Sequence, residues 1–265
     1  MIESILRVEA LSSGYDKETV FTNLNTSIQK GKITTIIGPN GCGKSTLLKT
    51  IGRILQQKNG KVYLHGEDMM SMPTKAIAKR LALLSQSPVA PAQLKVDELI
   101  SYGRFPHRKN IGTLSKKDME VIEWAMTVTK TIEYRNREIN QLSGGQRQKV
   151  WLAMALAQET EILLLDEPTT YLDMAHQLEM LKIVKQLNKK HQCTVVMVLH
   201  DINHAARFSD ELIAMRGGEI ITTGTPKEIL TKEVMKKVFQ IDAKIMFDEE
   251  TGAPVCYGYE TLEEV

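Results

Sequence analysis

The chain is poor in the features that mark stapled, membrane-spanning or nucleic-acid-binding proteins. Its three cysteines, Cys42, Cys193 and Cys256, are odd in number, far apart, and have no neighbouring cysteine or histidine at metal-ligand spacing. That argues against a disulfide framework or a zinc site and for reduced thiols in a cytoplasm. No apolar run approaches the roughly 18 residues of a membrane span. The opening residues, MIESILRVEALSSGY, carry an acid at Glu3 and no long apolar stretch, unlike a signal peptide. With no secretory signal, the sequon Asn25-Thr26-Ser27 reads as chance. Charge of one sign is missing as well: Lys+Arg 34 against Asp+Glu 32 leaves a net +2, without the basic surplus of a nucleic-acid binder. No nucleic-acid partner is therefore expected. Internal repeats and low-complexity linkers are also lacking.

What is present suffices for an ordinary core. At 265 residues and 42% hydrophobic, the chain can close one large or two modest domains without staples. SILRVEAL, NTSIQ and KITTII read as short strands with polar turns between them, one of them Gln29-Lys30-Gly31-Lys32, and KVYLHG adds another. From about Thr74 to Trp151 the pattern is helical. Ser115 and Asp118 form a helix start of the capping-box kind. Behind it Met119, Ile122, Met126 and Thr129 fall on one face at helical spacing.

EILLLD and TVVMVLH are continuous apolar runs, suited to parallel strands covered on both faces. A helix-compatible stretch from Gln177 to Lys190 between them makes a strand–helix–strand unit. ELIAMRGGEIITTG reads as a hairpin around Gly217-Gly218, and Thr225-Pro226-Lys227-Glu228 as a helix start. The tail AKIMFDEETGAPVCYGYE is a candidate for one more hairpin.

Gly38-Pro39-Asn40-Gly41-Cys42-Gly43-Lys44-Ser45 fits the G-x-x-x-x-G-K-[ST] phosphate loop, with an apolar strand before it and TLLKTIGRIL after it. Glycines let successive backbone N–H groups turn toward phosphate oxygens, and the helix N-terminus adds partial positive charge. Lys44 would bridge the β- and γ-phosphates and Ser45 would hold Mg²⁺. Such a site needs a second hard ligand and a group to aim the attacking water. ILLLDEP offers both: Asp166 to reach the metal through water, and Glu167 as general base. Two acids closing so apolar a strand need a partner. His200 ends its own strand in the same manner and is expected to donate to the γ-phosphate. Cys42, at the helix N-terminus, is expected to be acidified and reactive toward maleimide, with ATP protecting it.

Leu142-Ser143-Gly144-Gly145-Gln146 raises a separate question. Ser143 and Gln146 suffice for a capping box, yet a cap does not need two glycines, which are useful where backbone must approach a ligand closely. With LSGGQ shortly before LLLDEP, the chain resembles the nucleotide-binding subunits of ABC transporters, and the resemblance runs to about residue 240. It implies that Tyr15 stacks on adenine, that Gln86 in LLSQSP links the metal site to a membrane partner, and that TTYLD, ending at Asp173, is the loop after the catalytic Glu. It also implies a head-to-tail homodimer in which Ser143-Gly144-Gly145 of one copy closes on the γ-phosphate held by Gly38 to Thr46 of the other.

The implied fold is α/β, a P-loop NTPase (RecA-like) core with an N-terminal antiparallel β subdomain and an inserted α-helical subdomain. The implied boundaries are 1–86 with 161–240 for the core, 87–160 for the helical part and 241–265 for an extension. ISYGRFPHR and PTTYLDMAHQLEML narrow the resemblance to importers of iron chelates, haem or cobalamin, most closely to the ATPases of ferric hydroxamate uptake. Permease subunits in the membrane and, indirectly, a substrate-binding lipoprotein or periplasmic protein are the implied partners, with the chain peripheral on the cytoplasmic face. Read by itself, GRFPH is a loop anchored by Phe105 and Pro106. The rival is a soluble ABC-type ATPase of DNA repair or translation, which usually carries two ATPase modules or a long coiled-coil insertion; neither is present. A GTPase would need an N-K-x-D motif, also missing, and a small-molecule kinase leaves LSGGQ unexplained.

Overall fold

A computed structural model describes residues 4–108 and 113–262. They fall into two compact units, Met1–Ser71 with Thr194–Val265, and Met72–Cys193.

In the first unit the early strands form an antiparallel sheet in the order Phe21–Gln29, Ser4–Ser13, Asn59–Leu64, Glu67–Asp68. A bulge between the pairs Val8–Thr26 and Leu11–Leu24, with Ala10 at φ 46, restores the inward direction after one extra residue. Leu6, Val8 and Leu11 are thereby all buried, and Ile5, before the bulge, is buried as well. KITTII goes elsewhere. Ile33–Ile37 runs parallel to Thr194–Val198 on one side and Glu211–Arg216 on the other, and all five of its residues are buried, as a strand covered on both faces must be. Glu211–Arg216 turns back antiparallel into Glu219–Gly224 through Gly217 (φ 55) and Gly218 (φ 80), the paired positive φ values of a tight hairpin turn. The tail is a hairpin too, Ile241–Phe247 against Pro254–Thr261. Asn203 fastens it, donating to the Cys256 carbonyl at 3.1 Å and accepting from the Cys256 N–H at 2.7 Å.

In the second unit Leu81–Leu84 pairs parallel with Ile162–Asp166, among helices Val96–Ser101, Lys116–Val128, Gly144–Ala157 and Met174–His191. Ser115 caps the second of these in a reciprocal box with Asp118, as its spacing suggests. The buried face differs from the expected one. Ile122, Ala125, Met126 and Thr129 are buried, whereas Met119 is 54% exposed. The cause is Asp118, which turns inward to meet Arg104; the next residue is then rotated by about 100° toward solvent.

GRFPH likewise corrects its reading. Tyr102–His107 is a 3₁₀ helix, Phe105 is 54% exposed, and Gly103 and Arg104 are the buried residues. A Cβ on Gly103 would lie 2.2 Å from the Met154 carbonyl oxygen, so the backbone can pass there only as glycine. Arg104 donates to Asp118 Oδ1 at 2.8 Å, to the Ala157 carbonyl at 2.8 Å and to Glu159 Oε2 at 3.2 Å. Burial opposes ionisation of Asp118, but hydrogen bonds from Ser115 and Arg104 and the Arg104 charge outweigh it and hold the carboxyl at about 2.

Candidate nucleotide site

The phosphate loop lies in the first unit, between the buried strand Ile33–Ile37 and the helix Lys44–Ile51. Its glycines answer to different constraints. Gly38 has φ 152, and a Cβ there would fall 2.1 Å from the Met215 carbonyl oxygen, while Gly43 has φ 103 as the left-handed N-cap. Gly43 has no side chain to cap the helix, so the first-turn N–H groups are left to other acceptors. Lys44 is 5% exposed, and its Nζ donates to the carbonyls of Gly38 at 2.8 Å and Pro39 at 2.9 Å. The loop thus curls around an ammonium group, with Ser45 half-buried, Thr46 buried, and Asn40 and Gly41 exposed.

Cys42 corrects an expectation. Its thiol is buried, and burial pushes its pKa up despite the Lys44 charge and the backbone N–H groups of Lys44 and Cys42. An acidified, reactive thiol does not fit this position. Tyr15, just past the first strand, is 47% exposed, and His200, two residues beyond the strand Thr194–Val198, is exposed.

The second unit holds the carboxylates and the second glycine loop. Ile162–Asp166 is buried throughout, Asp166 is 0% exposed and Glu167 8%. Glu167 adopts φ 52, left-handed backbone that is uncommon for a residue with a long side chain and concentrates at functional sites. Gln86 Nε2 and Thr170 Oγ1, the latter at 3.0 Å, both donate to Glu167 Oε2. Two sequence-predicted residues, Gln86 and Glu167, are therefore joined directly, with Thr170 as a third that the sequence did not single out.

Ser143 caps the helix Gly144–Ala157: its Oγ accepts from Gln146 N at 3.3 Å, and Gln146 Oε1 accepts from Ser143 N at 3.0 Å. Gln146 Nε2 also donates to Tyr134 Oη at 3.2 Å. Ser143 and Gly144 remain exposed. Asp173 caps the helix Met174–His191, accepting from His176 N at 2.9 Å and His176 Nδ1 at 2.8 Å. Those bonds, the backbone N–H first, hold the Asp173 carboxyl below its ordinary value. His176 is the functional candidate that sequence reasoning missed; its one signal was the D-x-x-H capping interval.

A phosphate loop, a buried Asp-Glu strand end and an exposed S-G-G-Q helix start together define an ATP-binding cassette. The ABC transporter family model matches residues 21–170, and the chain belongs to that family, as one of its ATP-hydrolysing subunits. Among relatives, the iron(3+)-hydroxamate import ATP-binding protein FhuC of Bacillus subtilis (strain 168) is 54% identical over 258 residues, covering 97% of this chain and 96% of the relative. The ferric enterobactin transport ATP-binding protein FepC of Escherichia coli (strain K12) is 44% identical over 257 residues, covering 96% and 95%. A bacterial ABC transporter cassette solved as a dimer superposes with a TM-score of 0.74 at 28% identity, covering 83% of this chain and 98% of that one. No helix among the described residues is long and apolar enough to cross a membrane.

Proposed function

We propose that the chain powers uptake of an iron(III)–hydroxamate siderophore, as a homodimeric ATPase peripheral to the cytoplasmic face of permease subunits that a substrate-binding protein supplies. The cargo class rests on the 54% identity to a hydroxamate-import ATP-binding protein across nearly the whole of both chains. Nothing favours the soluble repair or translation alternative.

For the chemistry, the carrying observation is the Glu167 carboxylate, buried at a strand end in left-handed backbone and oriented by Gln86 and Thr170. A base held so is pre-aimed, with little reorganisation left for the reaction itself. We assign Glu167 to accept a proton from the attacking water, His200 to donate to the γ-phosphate, and Lys44 to neutralise phosphate charge. Tyr15 offers a face to adenine. The loop from Gly38 to Thr46 cradles the phosphates with its backbone N–H groups, Pro39 having none; Ser143, Gly144, Gly145, Gln146 and Asp173 close over those of a second copy. Ser45, Gln86 and Asp166 are the oxygen donors suited to Mg²⁺. Asp166 closes the buried strand with an oxygen-only, anionic donor, the ligand type that a hard cation such as Mg²⁺ takes. When bound, Mg²⁺ supplies charge neutralisation on the transferring phosphoryl group.

The domain reading follows the same assignment: 1–86 and 161–240 bind nucleotide, 87–160 presents the signature loop, and 241–265 is an extension. Deletion of the chain, with growth measured on single iron chelates as sole iron source, tests the cargo. Loss confined to hydroxamates is expected; undiminished growth on them would overturn the assignment.

A further inference from the structure

His176 does more than complete a helix cap. Its ring lies in the space that a side chain at Gly145 would need: a Cβ there would fall 2.9 Å from His176 Cδ2, 3.0 Å from Cγ and 3.3 Å from Nε2. Carbon atoms cannot sit that close, so glycine at 145 and the ring at 176 are matched. The other side of the ring is fixed. Asp173 carries an acceptor-only carboxylate, so the 2.8 Å contact is a bond donated by His176 Nδ1–H. The same oxygen also accepts the His176 backbone N–H at 2.9 Å. The backbone bond holds the carboxylate in place and the ring bond ties the imidazole to it, which restrains the ring from swinging away from Gly145.

A second link repeats the connection one turn further along. Lys149 Nζ, four residues beyond Gly145, reaches Glu179 Oε2 at 3.1 Å, three residues beyond His176. Lys130 holds the other oxygen of Glu179 at 2.9 Å. Lys149 is only 9% exposed, so this pair is shielded from solvent more than a surface ion pair is. An advance of about one turn along each helix, four residues on one and three on the other, means that Gly144–Ala157 and Met174–His191 run in the same sense where they meet, with their N-termini at the same end. Those N-termini are the signature loop and the end of the loop that begins at Glu167.

We propose that His176 is a positioning residue that locks the signature loop to the Glu167–Asp173 loop of the same chain, so that the two approach a partner copy's nucleotide as one surface. This rests on the shared-site reading above. A tilt of the Gly144 end pushes on the ring, and the ring transmits the push to Asp173. Its consequence is specific: loss of the ring leaves the phosphate loop of that chain untouched and weakens closure between copies.

The test uses the full-length Glu167→Gln chain, in which ATP persists, with dimer formation followed by sedimentation under MgATP. ATP affinity of the monomer is measured separately with a fluorescent ATP analogue at protein concentrations too low for pairing. His176→Ala is expected to weaken the dimer about tenfold, the size of one lost hydrogen bond with its packing, at unchanged monomer affinity. His176→Asn keeps Cγ against Gly145 and an amide donor near the position of Nδ1, and is expected to recover most of the loss. The proposal is overturned if His176→Ala pairs as tightly as its parent, if monomer affinity falls in step with pairing, or if His176→Asn behaves like His176→Ala. A parent that stays monomeric with ATP would instead overturn the shared-site reading, and this inference with it.

Discussion

The proposed chemistry concentrates in one side chain, Glu167, whose surroundings suit a carboxylate to serve as a base. Glu167 follows the carboxyl end of the strand Ile162–Asp166, left-handed backbone at φ 52 turns it, and Gln86 and Thr170 fix one oxygen. Glutamine at this position keeps the shape and cannot take a proton. Glu167→Gln is therefore expected to bind ATP normally and to hydrolyse it at least about a hundredfold more slowly, as phosphate release would record, since general-base catalysis contributes about 10²–10⁴-fold. A turnover near that of the parent would remove Glu167 from the mechanism. At this scale the sequence was legible in the backbone of the phosphate loop, where strand and helix flank it and Gly38 and Gly43 take the positive φ that glycine allows. It was not legible for Cys42, whose helix N-terminus suggested an acidic thiol, because the burial that raises its pKa comes from packing across the fold.

Among the elements, boundaries written into local chemistry were readable in advance. The reciprocal caps at Ser115–Asp118, Ser143–Gln146 and Thr225–Glu228, and the turn at Gly217-Gly218, all follow from short-range rules. Which side of an element faces inward was less so. Met119 and Phe105 are exposed because Arg104 and Asp118 take the interior, and a buried ion pair leaves no trace in apolar periodicity. That pair carries a pH signature. The Asp118 carboxyl is held at about 2 in the folded chain, below its ordinary 3.8. It therefore contributes stability that is fully present above the unfolded value and is lost as pH falls through the folded one. Between pH 5 and pH 2 the native chain is expected to lose about 2 kcal/mol more than Asp118→Asn in urea unfolding. Parallel losses in the two chains would show that the pair does not set acid stability.

For the whole molecule, the unit Met72–Cys193 brings the signature loop, Gln86, Glu167 and His176 into one body. The phosphate loop belongs to Met1–Ser71 with Thr194–Val265. The sequence announced both glycine loops plainly, but the lock between Gly145 and His176 joins residues from different helices and needed coordinates to be seen. Two phosphate-seeking loops in one chain make physical sense if each serves a different nucleotide, one held and one closed upon in a second copy. The most direct measurement mixes two disabled chains, Lys44→Ala and Ser143→Arg, and records ATP hydrolysis. Each alone is expected to be inactive. Together they can assemble one site from the sound phosphate loop of the second and the sound signature loop of the first, so hydrolysis is expected to reappear on mixing. A mixture as inactive as its components, with mixed dimers shown to form, would contradict shared sites.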